Sequence, residues 1–236
     1  MNETKIKLLL SFLMVVLIAF IPSEKYPLNE LMGITKPELK GVNFNLRPEA
    51  ADAFLEMQKA AKKEGITLFS LSSYRSFDHQ LRIYTSKWNR YQKQGLKGLA
   101  IIDKIIEYST IPGTSRHHWG TDLDVIDANV KVTGDKLSPD NYNKGGAYEK
   151  LGNWIRSNSE TYGFYLVYTN VLNRKGFKYE PWHLSYKKLS QPMLKQYLLK
   201  DWSSKLEKNN GYEFMNSEFL EKYLTENIKD INPDLL

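Results

Sequence analysis

Two short runs hold most of the groups in this chain that can do chemistry: Ser115-Arg116-His117-His118-Trp119-Gly120-Thr121-Asp122-Leu123-Asp124-Val125 and Glu180-Pro181-Trp182-His183. Three of the four histidines lie in them, and each run also carries a carboxylate. Two imidazoles plus one Asp or Glu make the ligand set of a catalytic zinc site that keeps a position open for water. Glu180, three residues before His183, stands where a general base is needed. The residue types therefore point to zinc-assisted hydrolysis, in short a zinc peptidase.

The spacing constrains how these groups meet. In a strand over Thr121 to Ile126, Thr121, Leu123 and Val125 face the core while Asp122 and Asp124 share the other face. Neighbouring carboxylates repel unless a cation or donor lies between them. His117 and His118 are adjacent, so only one of them turns easily to a given metal. Gly120 suits a turn that other residues resist. Glu180 and His183 would fall on opposite faces of an unbroken strand; Pro181 implies a bulge or bend that brings them to one side.

The elements that must position these residues read as α+β: a small, largely antiparallel sheet carries the metal site, with helices packed around it and a C-terminal helical extension. Helices are expected from Pro48 to about Gly65, from Phe77 to Gln94, from Leu99 to Tyr108 and from Tyr148 to Tyr162. Strands are expected over 66–72, 121–126, 164–169 and 176–185. The stretch 127–146 is polar and turn-rich, and reads as a surface loop or hairpin. The chain divides into an N-terminal segment (1–23), a linker or entry segment punctuated by Pro and Gly (24–45), a peptidase domain (46–190) and a helical extension (191–236). Trp202, Tyr212 and Phe214 in that extension pack on the domain or bind a partner.

Composition narrows the class further. Hydrophobic residues make up 42% and aromatic ones 13%, enough for a real core. Cysteine is absent, which excludes disulfides, thiol catalysis, cysteine-ligated zinc and a lipidated N-terminal cysteine. The net charge of +6 fits a solvated mixed surface or a mild preference for anionic partners, and the basic pairs form no nucleic-acid stripe. Lys5 and Lys7 precede an apolar stretch from Leu8 to Ile21, which is short of the roughly 20 residues of a spanning helix. It reads as an export signal, either cleaved or kept as an anchor, and predicts an extracytoplasmic protein that touches membrane only through this segment. A monomer is expected.

The motifs Ser115-x-His117-x-x-Gly120-x-x-x-Asp124 and Glu180-x-Trp182-His183 resemble those of the D-alanyl-D-alanine carboxypeptidase family of zinc peptidases. That family is typified by the vancomycin-resistance carboxypeptidases and includes D,D-dipeptidases and L,D-carboxypeptidases. Ser72-Ser73-Tyr74-Arg75-Ser76-x-x-x-Gln80 is similar to its first motif. The resemblance implies Zn²⁺ held by His117, Asp124 and His183, with Glu180 as the base that activates the water at the metal. Arg75 would hold the substrate carboxylate or the developing oxyanion. Ser115, Gln80 and Ser73 would contact the substrate, and Trp182 would pack behind the site. The implied activity is hydrolysis of the C-terminal D-amino-acid bond of peptidoglycan stem peptides. L,D-carboxypeptidase or endopeptidase action, and a silent zinc-holding cell-wall-binding module, are the alternatives. Asp122 departs from the small residue usual at its position. It competes as a ligand, holds a ligating histidine, or meets a substrate amine. His118 and Trp119 either line the substrate groove or pack.

Overall fold

The computed structural model describes residues 25–206 and 211–236. The expected export segment lies outside these residues. Among the described residues, no helix is long and apolar enough to cross a membrane.

Four antiparallel strands form one sheet in the order β1-β2-β4-β3: β1 (Leu68–Ser72), β2 (Asp122–Asp127), β3 (Phe164–Leu166) and β4 (His183–Tyr186). Alternation gives the central pair two different faces. Leu123, Val125 and Leu184 are fully buried in an apolar cluster against α2 (Pro48–Lys63) and α6 (Glu149–Asn158). Asp122 and Asp124 stand opposite Ser185 and His183 on the other face. A second apolar cluster supports that side, built from α3 (Phe77–Lys93), α4 (Leu99–Ile105), α7 (Lys187–Leu198) and the C-terminal segment. The short helices α1 (Leu28–Leu31), α5 (Pro139–Tyr142) and α8 (Ser217–Tyr223) complete the fold.

The helices begin and end where local chemistry dictates. Pro48 occupies the first turn of α2, where its missing N–H costs nothing. The Ser76 hydroxyl caps α3 by accepting from His79 N. A 3₁₀ turn, Ser159–Tyr162, follows α6 and stops at Gly163, which has φ +78°.

Three expectations need correction. A strand over 176–185 survives only as β4, because Pro181 cannot donate and the backbone N–H groups of Lys178 and Glu180 bond to Glu107 and Tyr168 carbonyls instead. Residues 25–45 are an entry segment but no free linker: Leu31 and Met32 are fully buried in the second cluster. The boundary drawn at residue 190 falls inside α7. Beyond it, Tyr197, Trp202 and Tyr223 join the same cluster, so the extension shares the core.

Candidate metal centre and substrate groove

The first run folds as a 3₁₀ turn, Arg116–Trp119, followed directly by β2. Ser115 caps the turn by accepting from His117 N, and Gly120 leaves it at φ +68°. The left-handed angle calls for glycine, and a Cβ there would also push on the tip of the Leu39 side chain, whose Cδ2 would lie 2.8 Å away.

The turn sends its two histidines in different directions. His117 Nδ1 lies 2.8 Å from the Ser73 carbonyl oxygen and donates to it, leaving Nε2 free, 3.4 Å from Asp124 Oδ2. His118 turns away from the groove and is fully buried. Gly113 N donates to its Nε2 at 3.2 Å, so Nδ1 carries the proton and donates to the Arg75 carbonyl at 2.6 Å. Trp119 donates to the Leu31 carbonyl. Packing, with no exposure to the groove, is the role of both His118 and Trp119.

The second run solves its spacing with a tight turn. His183 N donates to the Glu180 carbonyl at 3.2 Å, with Pro181 at the position that favours it, and β4 begins at His183. Glu180 Oε2 and His183 Nδ1 come within 3.0 Å. The His117 and His183 ring centroids are 4.7 Å apart.

His117, Asp124 and His183 each offer a ligand atom, all within 4.8 Å of one another. The donor set, two imidazoles and one carboxylate, suits zinc. Asp124 Oδ1 is buried without a hydrogen-bond partner, which fits an oxygen awaiting a cation. Burial pulls His183 down, but hydrogen bonds to Asp122 and Glu180 and the field of Asp124 outweigh it, holding the imidazole up at about 10. Burial depresses His117 and raises Glu180. Asp124 is lowered despite burial, by His117 first and then by His183 and Arg75.

Arg75 is held rigidly at this centre. Its guanidinium donates to Gln80 Oε1 at 2.6 Å and Ser72 Oγ at 3.0 Å, and Nη2 lies 4.0 Å from Asp124 Oδ2. A register shift in β1 between Ser70 and Ser72 bends the strand where it leads to Arg75.

A groove of about 450 Å³ reaches the centre and is lined by Arg75, Ser115, His117, Asp124, Glu180, Trp182 and His183 among others. Gln80 and Ser73, expected to contact substrate, are not in that lining, and their hydrogen bonds reach residues that are. Gln80 is fully buried, braced by Ser109 and the Thr110 carbonyl, and supports Arg75 from behind. Ser73 accepts from Asn45 N with its hydroxyl and orients His117 with its carbonyl. Trp182 reaches the groove edge while packing on Tyr142 at 5.7 Å between centroids.

Asp122 is no member of the metal cluster. It is fully buried, and its Oδ1 accepts from Arg116 Nε at 2.9 Å and from His183 Nε2 at 3.2 Å. Thr121 and Ser185 donate to Oδ2. Of the three roles open to it, holding a ligating histidine matches these contacts. Sequence reasoning missed Arg116 as its partner, although a lone cation six residues away in the same run was the available sign. It also missed Tyr168, whose ring meets His183 edge-on at 5.1 Å. Nothing local in the sequence marked that tyrosine.

Comparison with known proteins places the fold and the family. YodJ of Bacillus subtilis (strain 168), named as an inferred carboxypeptidase, is 34% identical over 142 residues, 60% of this chain. The match spans 46% of YodJ, so the chain covers about half that relative's length. Vancomycin-resistance D,D-pentapeptidase VanY, solved in complex with Zn(II), superposes with a TM-score of 0.53 over 76% of this chain and 89% of that one, at 20% identity. VanYB in complex with D-alanine-D-alanine gives 0.54 over 77% and 93%, also at 20% identity. At such identity the likeness is one of fold. The D-alanyl-D-alanine carboxypeptidase family model, VanY, matches residues 43–189, more than half of the chain, and the chain therefore belongs to that family.

Proposed function

We propose that this protein is a zinc-dependent carboxypeptidase that hydrolyses the C-terminal D-amino-acid bond of peptidoglycan stem peptides. One observation carries the reading: His117, Asp124 and His183 converge at the floor of a groove in which Glu180 lies 3.0 Å from a ligating imidazole. The family match and the solved relatives named for Zn(II) and for D-alanine-D-alanine support it.

Zinc, when bound by these three side chains, polarises the scissile carbonyl and acidifies water. The protein's own groups do the rest. Glu180 accepts a proton from the attacking water and delivers it to the leaving amide nitrogen, so amide and water become carboxylate and amine. Its burial, which raises it, suits a base that must also act as an acid. Arg75 offers fixed donors to the oxygen on which negative charge develops, and Gln80, Ser72 and His118 hold it there in advance. Ser115 and Trp182 border the bound peptide. Because both Glu180 and Arg75 face the groove, a silent binding module is disfavoured. An extracytoplasmic location follows from the basic and apolar N-terminal sequence and from the substrate class.

The test is incubation of the purified protein with defined stem tetra- and pentapeptides, with and without chelator, read by mass spectrometry. Loss of one terminal D-alanine from the pentapeptide, stopped by chelator and restored by zinc, is the expected result. Release from the tetrapeptide alone would move the assignment to L,D-carboxypeptidase. No cleavage of either would reject it.

A further inference from the structure

The groove extends well beyond the metal centre. Along one wall, α3 presents Ile83, Lys87, Arg90 and Tyr91, spaced to share one helix face. Asp135 belongs to the same lining. The groove therefore continues past the metal centre, and this part of it carries two cations, Lys87 and Arg90, against one carboxylate, Asp135.

Lys87 is the unusual member. It is half-buried, yet among the described residues it makes no hydrogen bond and no ion pair within 4.0 Å. Its charged surroundings are mixed, with Arg90 and Arg75 repelling it and Glu180 and Asp135 attracting it from a distance. Arg90 beside it is occupied with a neutral neighbour, donating to the Tyr91 hydroxyl at 2.9 Å and lying 4.7 Å from that ring's centre. An ammonium partly withdrawn from water without a counter-ion is costly unless something completes it. The two carboxylates that attract it do not reach it: Glu180 is bonded to His183, and Asp135, which accepts from Leu137 N, makes no ion pair with it within 4.0 Å.

We propose that Lys87, with Arg90 at its flank, forms an anion subsite that receives a carboxylate of the substrate. This inference rests on the peptidase reading and divides the work between two cations. Arg75, 4.0 Å from Asp124, serves the reacting carbonyl; Lys87 serves a carboxylate bound further along the groove. A stem peptide has two sources for that carboxylate: its C-terminus, or an acidic group on an upstream side chain. Either is a single charge meeting a flexible point cation, a task that suits lysine better than a rigid fork.

Binding and turnover test this separately. Dissociation constants are measured on zinc-loaded Glu180→Ala protein, with and without Lys87→Met. The ligands are a stem pentapeptide, its C-terminal amide, and a version in which the upstream acidic side chain is neutral. KM and kcat for the pentapeptide are measured with Glu180 intact. The expected result is that Lys87→Met weakens pentapeptide binding on the order of 10- to 100-fold, as for loss of a hydrogen bond to a charged group. KM rises with little change in kcat, and zinc content stays the same. One of the two altered peptides binds Lys87→Met as well as it binds the protein with Lys87, and this identifies the carboxylate. Lys87→Arg recovers part of the affinity. Unchanged pentapeptide affinity in Lys87→Met, or an equal loss for all three ligands, overturns the subsite. Tight Lys87-dependent binding without any turnover in the parent protein would instead overturn the peptidase reading and leave the subsite standing.

Discussion

His183 commits its two ring nitrogens to different tasks: Nε2 lies 3.2 Å from Asp122 Oδ1, while Nδ1 faces Glu180 and Asp124 at 3.0 and 3.7 Å. A carboxylate behind a ligating histidine fixes its tautomer and its orientation. Here that carboxylate is itself held by Arg116, Thr121 and Ser185, so the histidine rests on a fixed support. Asp122→Asn is expected to weaken zinc binding by about 10- to 100-fold in a chelator competition. Equal affinity in variant and parent would reduce Asp122 to a partner for Arg116.

In the proposed mechanism Glu180 serves the chemistry and not the metal. Glu180→Ala should lower kcat by about 10²- to 10⁴-fold, the range for loss of a positioned proton acceptor. Zinc content should stay near that of the parent, because Glu180 lies outside the three-residue cluster. Retained turnover would remove Glu180 from the mechanism.

Arg75 makes two directed hydrogen bonds through one planar group. Arg75→Lys keeps the charge and loses the fork, and should reduce kcat by about 10²- to 10³-fold. An unaltered rate would mean that Arg75 only braces the turn it shares with His117 and His118.

His118 predicts a pH dependence of stability. Burial, partly offset by the hydrogen bond to the Arg75 carbonyl, holds its imidazole down at about 3. The ordinary value in the unfolded chain is about 6.5. Between these values the unfolded chain binds the extra proton, so stability is complete above pH 6.5 and falls as pH drops towards 3. Protonation would also cost His118 the bond it accepts from Gly113 N. In chelated protein, His118→Gln should be less stable at neutral pH, yet its stability should depend on pH by about one proton less across this window. Identical slopes in urea titrations at several pH values would contradict that assignment.

The sequence was most informative where chemistry and local geometry coincide. Period-2 alternation in β2 separated Leu123 and Val125 from Asp122 and Asp124, as the buried cluster and the cross-strand pairs bear out. The caps and apolar spacing of α2 and α3 located those helices to within a residue or two of their ends. The run before β4 was misread because 176–182 looks like a strand by composition, while its backbone donors go to partners distant in sequence. The buried behaviour of residues 25–45 was equally illegible: Gly33 packs against the His118 ring, where a Cβ would come within 2.4 Å of Nδ1. Gln80 and Ser73 show the same limit at the site itself. Motif position marked both as important, and only tertiary contact shows which groups they hold, Arg75 by Gln80 and His117 by the Ser73 carbonyl.

Crystals of the zinc-loaded protein, measured on both sides of the zinc absorption edge, give the most direct check. One strong anomalous peak is expected, bonded to His117 Nε2, Asp124 and His183 Nδ1, with Asp122 still on the far edge of the His183 ring. No peak at that place, or a peak in which the His183 nitrogen facing Asp122 binds the metal, would contradict the centre described above.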